Sequence, residues 1–258
     1  MPEDNKLQQL LKQIDQKKEK IDQARPLPKI IVDKLSEYFT VEWTYNSNAI
    51  EGNTMTLQET SLILKEGLTI SGKSMREHLE VTNHKNAIDF LNELLKKVEP
   101  ITQRDILEIH KLILEGINNK YAGRLRDVEV FISGSPHKPP LPQAVEGMML
   151  EFSKWMVEQQ EKKKLHPVRF AAQSHFKLVD IHPFIDGNGR TARLLMNLIL
   201  MKYGYPIAVF ECETDKRKAY YKSLQDGHTG NLLPFELMVA QYVDQTADKY
   251  IGSIPPTR

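Results

Sequence analysis

Three capping boxes do most to limit what this chain can fold into. Thr56-x-x-Glu59, Ser74-x-x-Glu77 and Thr102-x-x-Asp105 each place a hydroxyl residue three positions ahead of an acid. That pairing satisfies two otherwise orphaned backbone N–H groups, so each marks a helix start. The first opens a helix over 57–66 that Gly67 closes, the second a long helix to about 97, and the third a helix over 103–115 stopped at Gly116. In the second, Leu79, Ala87, Ile88, Leu91 and Leu95 keep one face apolar. Helical periods resume over 143–160, 167–181, 189–203, 214–226 and 234–251, the last with Pro234 near its first turn. The one good strand signal is Asp127–Ile132 (DVEVFI), and the SGSPHKPP after it is turn chemistry, which reads as a small β-hairpin or flap. The expectation is an all-α fold with a small β-hairpin flap and an N-terminal helical extension.

That extension rests on Leu7, Leu10, Leu11, Ile14 and Ile21, spaced near-heptad over 4–24 and ended by Pro26 and Pro28. Such a stripe serves either as a dimer seam or as a helix laid on the domain. A second helical stretch covers 29–45. The chain has 35 Lys+Arg against 34 Asp+Glu, a net charge of +1, so the basic excess of a nucleic-acid binder is missing. A single cysteine, Cys212, excludes a disulfide framework and a multi-cysteine zinc site. The N-terminus is polar, and the longest apolar run, LLMNLILM at 194–201, has about half the length of a membrane span. A soluble, cytoplasmic protein with no membrane and no direct nucleic-acid partner is expected.

The chemistry concentrates in Ile181–Arg193, IHPFIDGNGRTAR, a loop between two helical patterns. His182 precedes a proline, which disfavours helical backbone there and turns the imidazole out at the helix end. Gly187-Asn188-Gly189 can turn successive N–H groups inward just as the next helix begins, and such a nest is an anion site. Arg190 and Arg193, three apart on that helix's first turn, project two cations to one side. With Asp186 the loop offers a base, a hard-metal ligand, an anion cradle and two phosphate clamps. Each part alone is ordinary turn or cap chemistry, and no Walker lysine pattern accompanies them.

HPFIDGNGRTAR resembles the signature of Fic-domain proteins, His-Pro-Phe-x-Asp/Glu-Gly-Asn-Gly-Arg-x-x-Arg, at every defined position. The flanks LHPVRFAAQSHFKLVDI and LLMNLILMKYGYP are similar to the same family, and the likeness runs from about residue 40 to 245. The resemblance implies a Fic fold and a protein adenylyltransferase, moving AMP from ATP to a Ser, Thr or Tyr hydroxyl of a target protein or of itself. It implies His182 as general base, Asp186 as ligand of Mg²⁺ or Mn²⁺, and Asn188 with the Gly187 and Gly189 amides as phosphate cradle. Arg190 would neutralise the leaving pyrophosphate, Arg193 would clamp the γ-phosphate, and Phe184 would anchor the loop. Gly189 implies AMP transfer, because the phosphate-transferring branch carries Lys there. The flap, with Val128, Val130, Phe131 and Ile132, would dock the target by strand addition. Tyr220 and Tyr221 resemble residues lining the adenine pocket, or else are amphipathic core tyrosines. Several similar enzymes are dimers, so a homodimer is a further expectation.

Upstream, Ser47-Asn-Ala-Ile-Glu51-Gly52 puts Ser47 and Glu51 on one helical face. It resembles the inhibitory motif of self-inhibited Fic proteins with an N-terminal brake. That likeness implies that Glu51 pairs with Arg193 in place of the γ-phosphate, and in some relatives the same glutamate helps remove AMP. The division expected is an extension over 1–40, an inhibitory helix motif over 41–55 and a catalytic domain over 56–252.

Two other readings compete. One is a nucleotide-sensing regulator using the same pocket with little turnover, against which the intact His182 and Asp186 stand. The other is a metal-dependent hydrolase built on His175, Asp180, His182 and Asp186. His84, His110, His166 and His228 carry no motif, so structure is their default role, and His137 and Lys138 read as loop surface. His228 stands where relatives carry a polar amide, and the flap is a little longer than in some of them.

Overall fold

The computed structural model describes residues 2–132 and 135–254 of the chain. Among them are ten helices: α1 (Pro2–Gln23), α2 (Lys29–Ile50), α3 (Leu57–Glu66), α4 (Met75–Leu95), α5 (Gln103–Leu114), α6 (Pro142–Lys162), α7 (Pro167–Ile181), α8 (Asn188–Lys202), α9 (Thr214–His228) and α10 (Leu233–Gly252). The capping boxes form as their spacing predicts. The Thr56 hydroxyl accepts from the Glu59 N–H at 3.2 Å, and the Thr56 N–H donates to the Glu59 carboxylate at 2.7 Å. Ser74 and Glu77 repeat the exchange, and the Thr102 N–H donates to Asp105 at 2.8 Å.

The architecture is organised around α8. Its Ala192, Leu194, Leu195, Met196, Leu198, Ile199 and Leu200 are completely buried, so the apolar run that is too short for a membrane is instead the centre of a helix buried on every side. Around it pack α7, α4, α5 and α2. No helix among the described residues is long and apolar enough to cross a membrane.

The N-terminal stripe has one resolved role. Leu7, Leu11, Ile14 and Ile21 are buried, and α1 lies along α10. Its apolar face is covered by its own chain and is not free to be a dimer seam. The segment 29–45 extends to Ile50, because nothing between Tyr45 and Glu51 breaks a helix. The boundary drawn at 40/41 therefore falls inside α2.

The hairpin does not form among the described residues. Val128 lies in a bend, Val130, Phe131 and Ile132 are irregular, and none of them makes a strand ladder. The return limb explains this: Pro136, Pro139 and Pro140 lack the N–H groups that a ladder needs. The turn expected at Ser133 and Gly134 lies outside the described residues. Phe131 is 84% exposed.

Candidate active site

The loop between α7 and α8 is fixed from below. Phe184 is completely buried, with its ring stacked on that of His110 at 3.6 Å. The Asn188 side chain exchanges two hydrogen bonds with the Phe184 backbone, accepting from its N–H at 3.0 Å and donating to its carbonyl at 2.9 Å. That amide shapes the loop and is spent in doing so; it is not itself aimed at an anion. His110 donates from Nε2 to the Asp186 carbonyl at 3.0 Å and accepts the Gly123 N–H on Nδ1 at 3.0 Å, which fixes a neutral tautomer. Burial accordingly pushes its pKa down to about 4. Gly187 caps α8 with φ of +77°, and a Cβ there would press on Ile113 and His110.

His182 sits at the end of α7 in the left-handed region, φ 49° and ψ 58°, rare for a residue with a side chain. Its Nδ1 faces the Val179 carbonyl at 3.4 Å, which leaves Nε2 as the basic nitrogen. Burial, with the Arg126 charge adding to it, holds the imidazole's pKa down to about 4, well below the ordinary histidine value. The ring is therefore neutral at pH 7.

Asp186 accepts from the Gly187 N–H at 2.6 Å and the Arg190 guanidinium at 3.3 Å on Oδ1, and from Arg76 at 2.8 Å on Oδ2. Burial opposes the charge, but these partners outweigh it and keep the carboxylate's pKa below its usual value. Half-exposed and ionised, it suits a hard divalent cation. Arg190 is buried 3.4 Å from Glu80, yet its Nε and Nη1 have no hydrogen-bond partner. Nη1 keeps its ion pair with Glu80, and the free Nε–H at a helix N-terminus fits a phosphate.

Arg193, also buried, is fully engaged. It donates from Nε to the Ser47 hydroxyl at 3.0 Å, and from Nη2 to the Ser47 carbonyl and to Glu51 Oε1, both at 2.8 Å. Nη1 lies 3.3 Å from the Tyr220 hydroxyl, which is 3.1 Å from His175 Nε2. Gly189 makes room for this: a Cβ there would overlap Glu51 Oε1 and stand 3.0 Å from Arg193 Nη1. Helices α4 and α9 hold the end of α2 in place. Asn48 and Asn53 donate to carbonyls of Glu80 and Glu77, each at 3.1 Å, and the Tyr221 hydroxyl donates to the Ile50 carbonyl at 3.2 Å.

The structure thus brings together His182, Asp186, Gly187, Gly189, Arg190 and Arg193, with Ser47 and Glu51 against them. The two tyrosine rings lie 5.3 Å apart but differ in exposure. Tyr220 is buried among His175, Phe210 and Phe235 and offers no open face to a base, while Tyr221 is 43% exposed beside the end of α2. The hydrolase cluster does not assemble, because His175 is completely buried against Tyr220 and Asp180 faces His137 and His228 instead. His137 is packed against His228 and is not loop surface.

Four contributors had no local signal. Arg126 donates to the carbonyls of His182 at 2.8 Å, Val128 at 3.1 Å and Pro140 at 2.6 Å, tying the flap to the loop. Arg76, Glu80 and His110 reach the loop from α4 and α5. A cavity of about 700 Å³ lined by Phe39, Trp43, Ile88 and Tyr250 holds none of these groups, so the chemistry belongs to the loop.

Residues 100–200 match the model of the Fic/DOC family. The chain is 41% identical over 247 residues to a protein adenylyltransferase Fic of Nematostella vectensis, covering 95% of this chain and 56% of that one. It is 37% identical over 251 residues to the protein of that name from Aedes aegypti, covering 94% and 49%. The chain therefore spans about half the length of these curated relatives. Among solved structures, a fragment of Fic-1 from C. elegans superposes with a TM-score of 0.87 at 34% identity, over 96% of this chain and 73% of that one. A Fic domain containing signaling protein from Bacteroides thetaiotaomicron gives a TM-score of 0.87 at 27% identity, over 94% and 97%.

Proposed function

The chain belongs to the Fic/DOC family, and from that premise we propose that it is a protein adenylyltransferase held in check by its own Glu51. The observation that carries the reading is the convergence on one loop of a neutral imidazole, His182, with the Arg190 guanidinium, whose buried Nε has no partner. ATP is the co-substrate, and the acceptor is a Ser, Thr or Tyr hydroxyl of a protein.

His182 Nε2 takes the hydroxyl proton as the oxygen forms its bond to the α-phosphorus. The bond from that phosphorus to the bridging oxygen breaks, and pyrophosphate leaves with the electron pair. Arg190 and the N–H groups at the start of α8 offset the charge that develops. Asp186 would hold Mg²⁺ or Mn²⁺, which supplies charge neutralisation across the phosphates. Phe184, Asn188 and His110 keep the loop rigid, so the base need not be positioned anew in each turnover.

Glu51 is the brake. Its carboxylate lies over Gly189, at the helix N-terminus that favours an anion, and holds the cation that would clamp the γ-phosphate. The side chain stays about a third exposed, so water reaches it, and the same carboxylate would orient water for removal of AMP. A homodimer would need a face other than that of α1. The soluble, cytoplasmic setting expected from the sequence belongs to this reading.

The test is transfer of label from α-labelled ATP with Mg²⁺, and then Mn²⁺, to the protein itself and to a cell lysate. Label that appears with Glu51→Gly and vanishes with Glu51→Gly/His182→Ala is the expected result. Silence in every variant, with ATP still bound, would replace this reading with a nucleotide sensor.

A further inference from the structure

We propose that His137, Asp180 and His228 form a binding site for one borderline divalent cation of the Zn²⁺ type, separate from the carboxylate of Asp186. His228 Nδ1 lies 2.8 Å from Asp180 Oδ1 and His137 Nε2 lies 3.5 Å from the same oxygen. One donor atom from each of the three falls within 4.8 Å of the others. Metal bonds of about 2.0–2.2 Å in a tetrahedron set ligand atoms roughly 3.3–3.6 Å apart, close to this spacing. Two imidazoles and one carboxylate, leaving a fourth position for water, suit zinc and its neighbours; an all-oxygen set would suit magnesium.

The three donors come from three segments: the flap, the last turn of α7 and the last turn of α9. The two imidazoles are shielded, with 16% of the His137 side chain and 11% of that of His228 exposed, while Asp180 is 39% exposed and open to water. The Asp180 carboxylate is held in its ionised form, mainly by its hydrogen bond to His228. The rings lie face to face, 3.5 Å apart and 7° from parallel. Two parallel rings cannot both direct in-plane lone pairs at one ion, so one must tip. His228 is fixed by α9 and by Phe176, 5.1 Å away, whereas His137 belongs to the irregular segment between α5 and α6 and is the ring that moves. The ion takes the place of the hydrogen between His228 Nδ1 and Asp180, and a metal-bound neutral ring carries its one proton on Nε2.

An ion bound there fastens the flap to α7 two residues ahead of His182. That consequence rests on the transferase reading; the binding itself does not. Tag-free, chelator-stripped full chain is titrated with ZnCl₂ by calorimetry, and with Co²⁺ for the visible spectrum of a four-coordinate ion. Expected is one Zn²⁺ per chain, weakened at least about tenfold by His137→Ala, His137→Gln or His228→Ala, as loss of a direct ligand should exceed loss of a supporting one. Asp186→Asn should leave binding unchanged, and His137→Ala should erase the Co²⁺ bands. Absence of stoichiometric binding would overturn the site. Equal affinity in the histidine variants, or loss with Asp186→Asn, would do the same. None of these results bears on label transfer by His182.

Discussion

Arg193 and Glu51 meet at 2.8 Å, joining the second turn of α8 to the residue that caps α2, 142 positions earlier in the chain. The pair is asymmetric: the arginine is 3% exposed at its side chain and the glutamate 34%. Removing the glutamate leaves Arg193 held by Ser47 and Tyr220, so the fold should survive while the cation becomes free for a phosphate. Glu51→Gly should raise self-labelling at least about tenfold, an order set by coupling free energies of 1–3 kcal/mol. Equal rates for the two proteins would show that this pair does not limit transfer.

Gly189 should be needed chiefly because Glu51 is present. A methyl group there overlaps Glu51 Oε1 and crowds Arg193, but in Glu51→Gly the first obstacle is gone. Gly189→Ala should therefore push the flexible Glu51 carboxylate off Arg193, destabilising the native chain by no more than about 1 kcal/mol and the Glu51→Gly chain by less. Denaturant unfolding of the four proteins gives the coupling directly, and strict additivity would contradict the geometry.

Arg126 should govern the flap. Its guanidinium satisfies the carbonyls of His182, Val128 and Pro140, and Arg126→Met leaves all three without that donor. Limited proteolysis should cut within 127–141 several-fold faster in the variant, at matched global stability. An unchanged cleavage pattern would mean that the flap is held by something else.

The pH dependence follows from the buried histidines. A base with a pKa of about 4 is already deprotonated at pH 6, so transfer should be flat from about pH 6 to 8 on this limb and fall only near pH 4. A midpoint near 6.5 would indicate an exposed imidazole. Stability has the matching sign. The unfolded chain binds protons on His110 and His182 near pH 6.5, the folded one only near 4, so stability is full above 6.5 and lost as pH falls through that window. His110→Phe, which keeps a ring against Phe184, should make the acid loss shallower in unfolding curves.

The sequence determined what depends on neighbours along the chain. Capping boxes, the apolar run of α8 and the order His182, Asp186, Gly187, Asn188, Gly189, Arg190 and Arg193 are local patterns, because a helix start or an anion nest is made within a few residues. Ser47 and Glu51 were legible as one face of a helix through the same i to i+4 geometry. The tertiary structure decided everything that required distant segments to meet. It buried Tyr220 against Arg193, spent the Asn188 amide on Phe184, and gave His110 and Arg126 their places under and over the loop. It also covered the α1 stripe with α10, left the proline-rich flap without a ladder, and stacked His137 on His228. It lowered the pKa of His182 as well, since desolvation comes from packing and cannot be counted from composition. Local chemistry is written in spacing, whereas burial and long-range pairing exist only once the helices are packed.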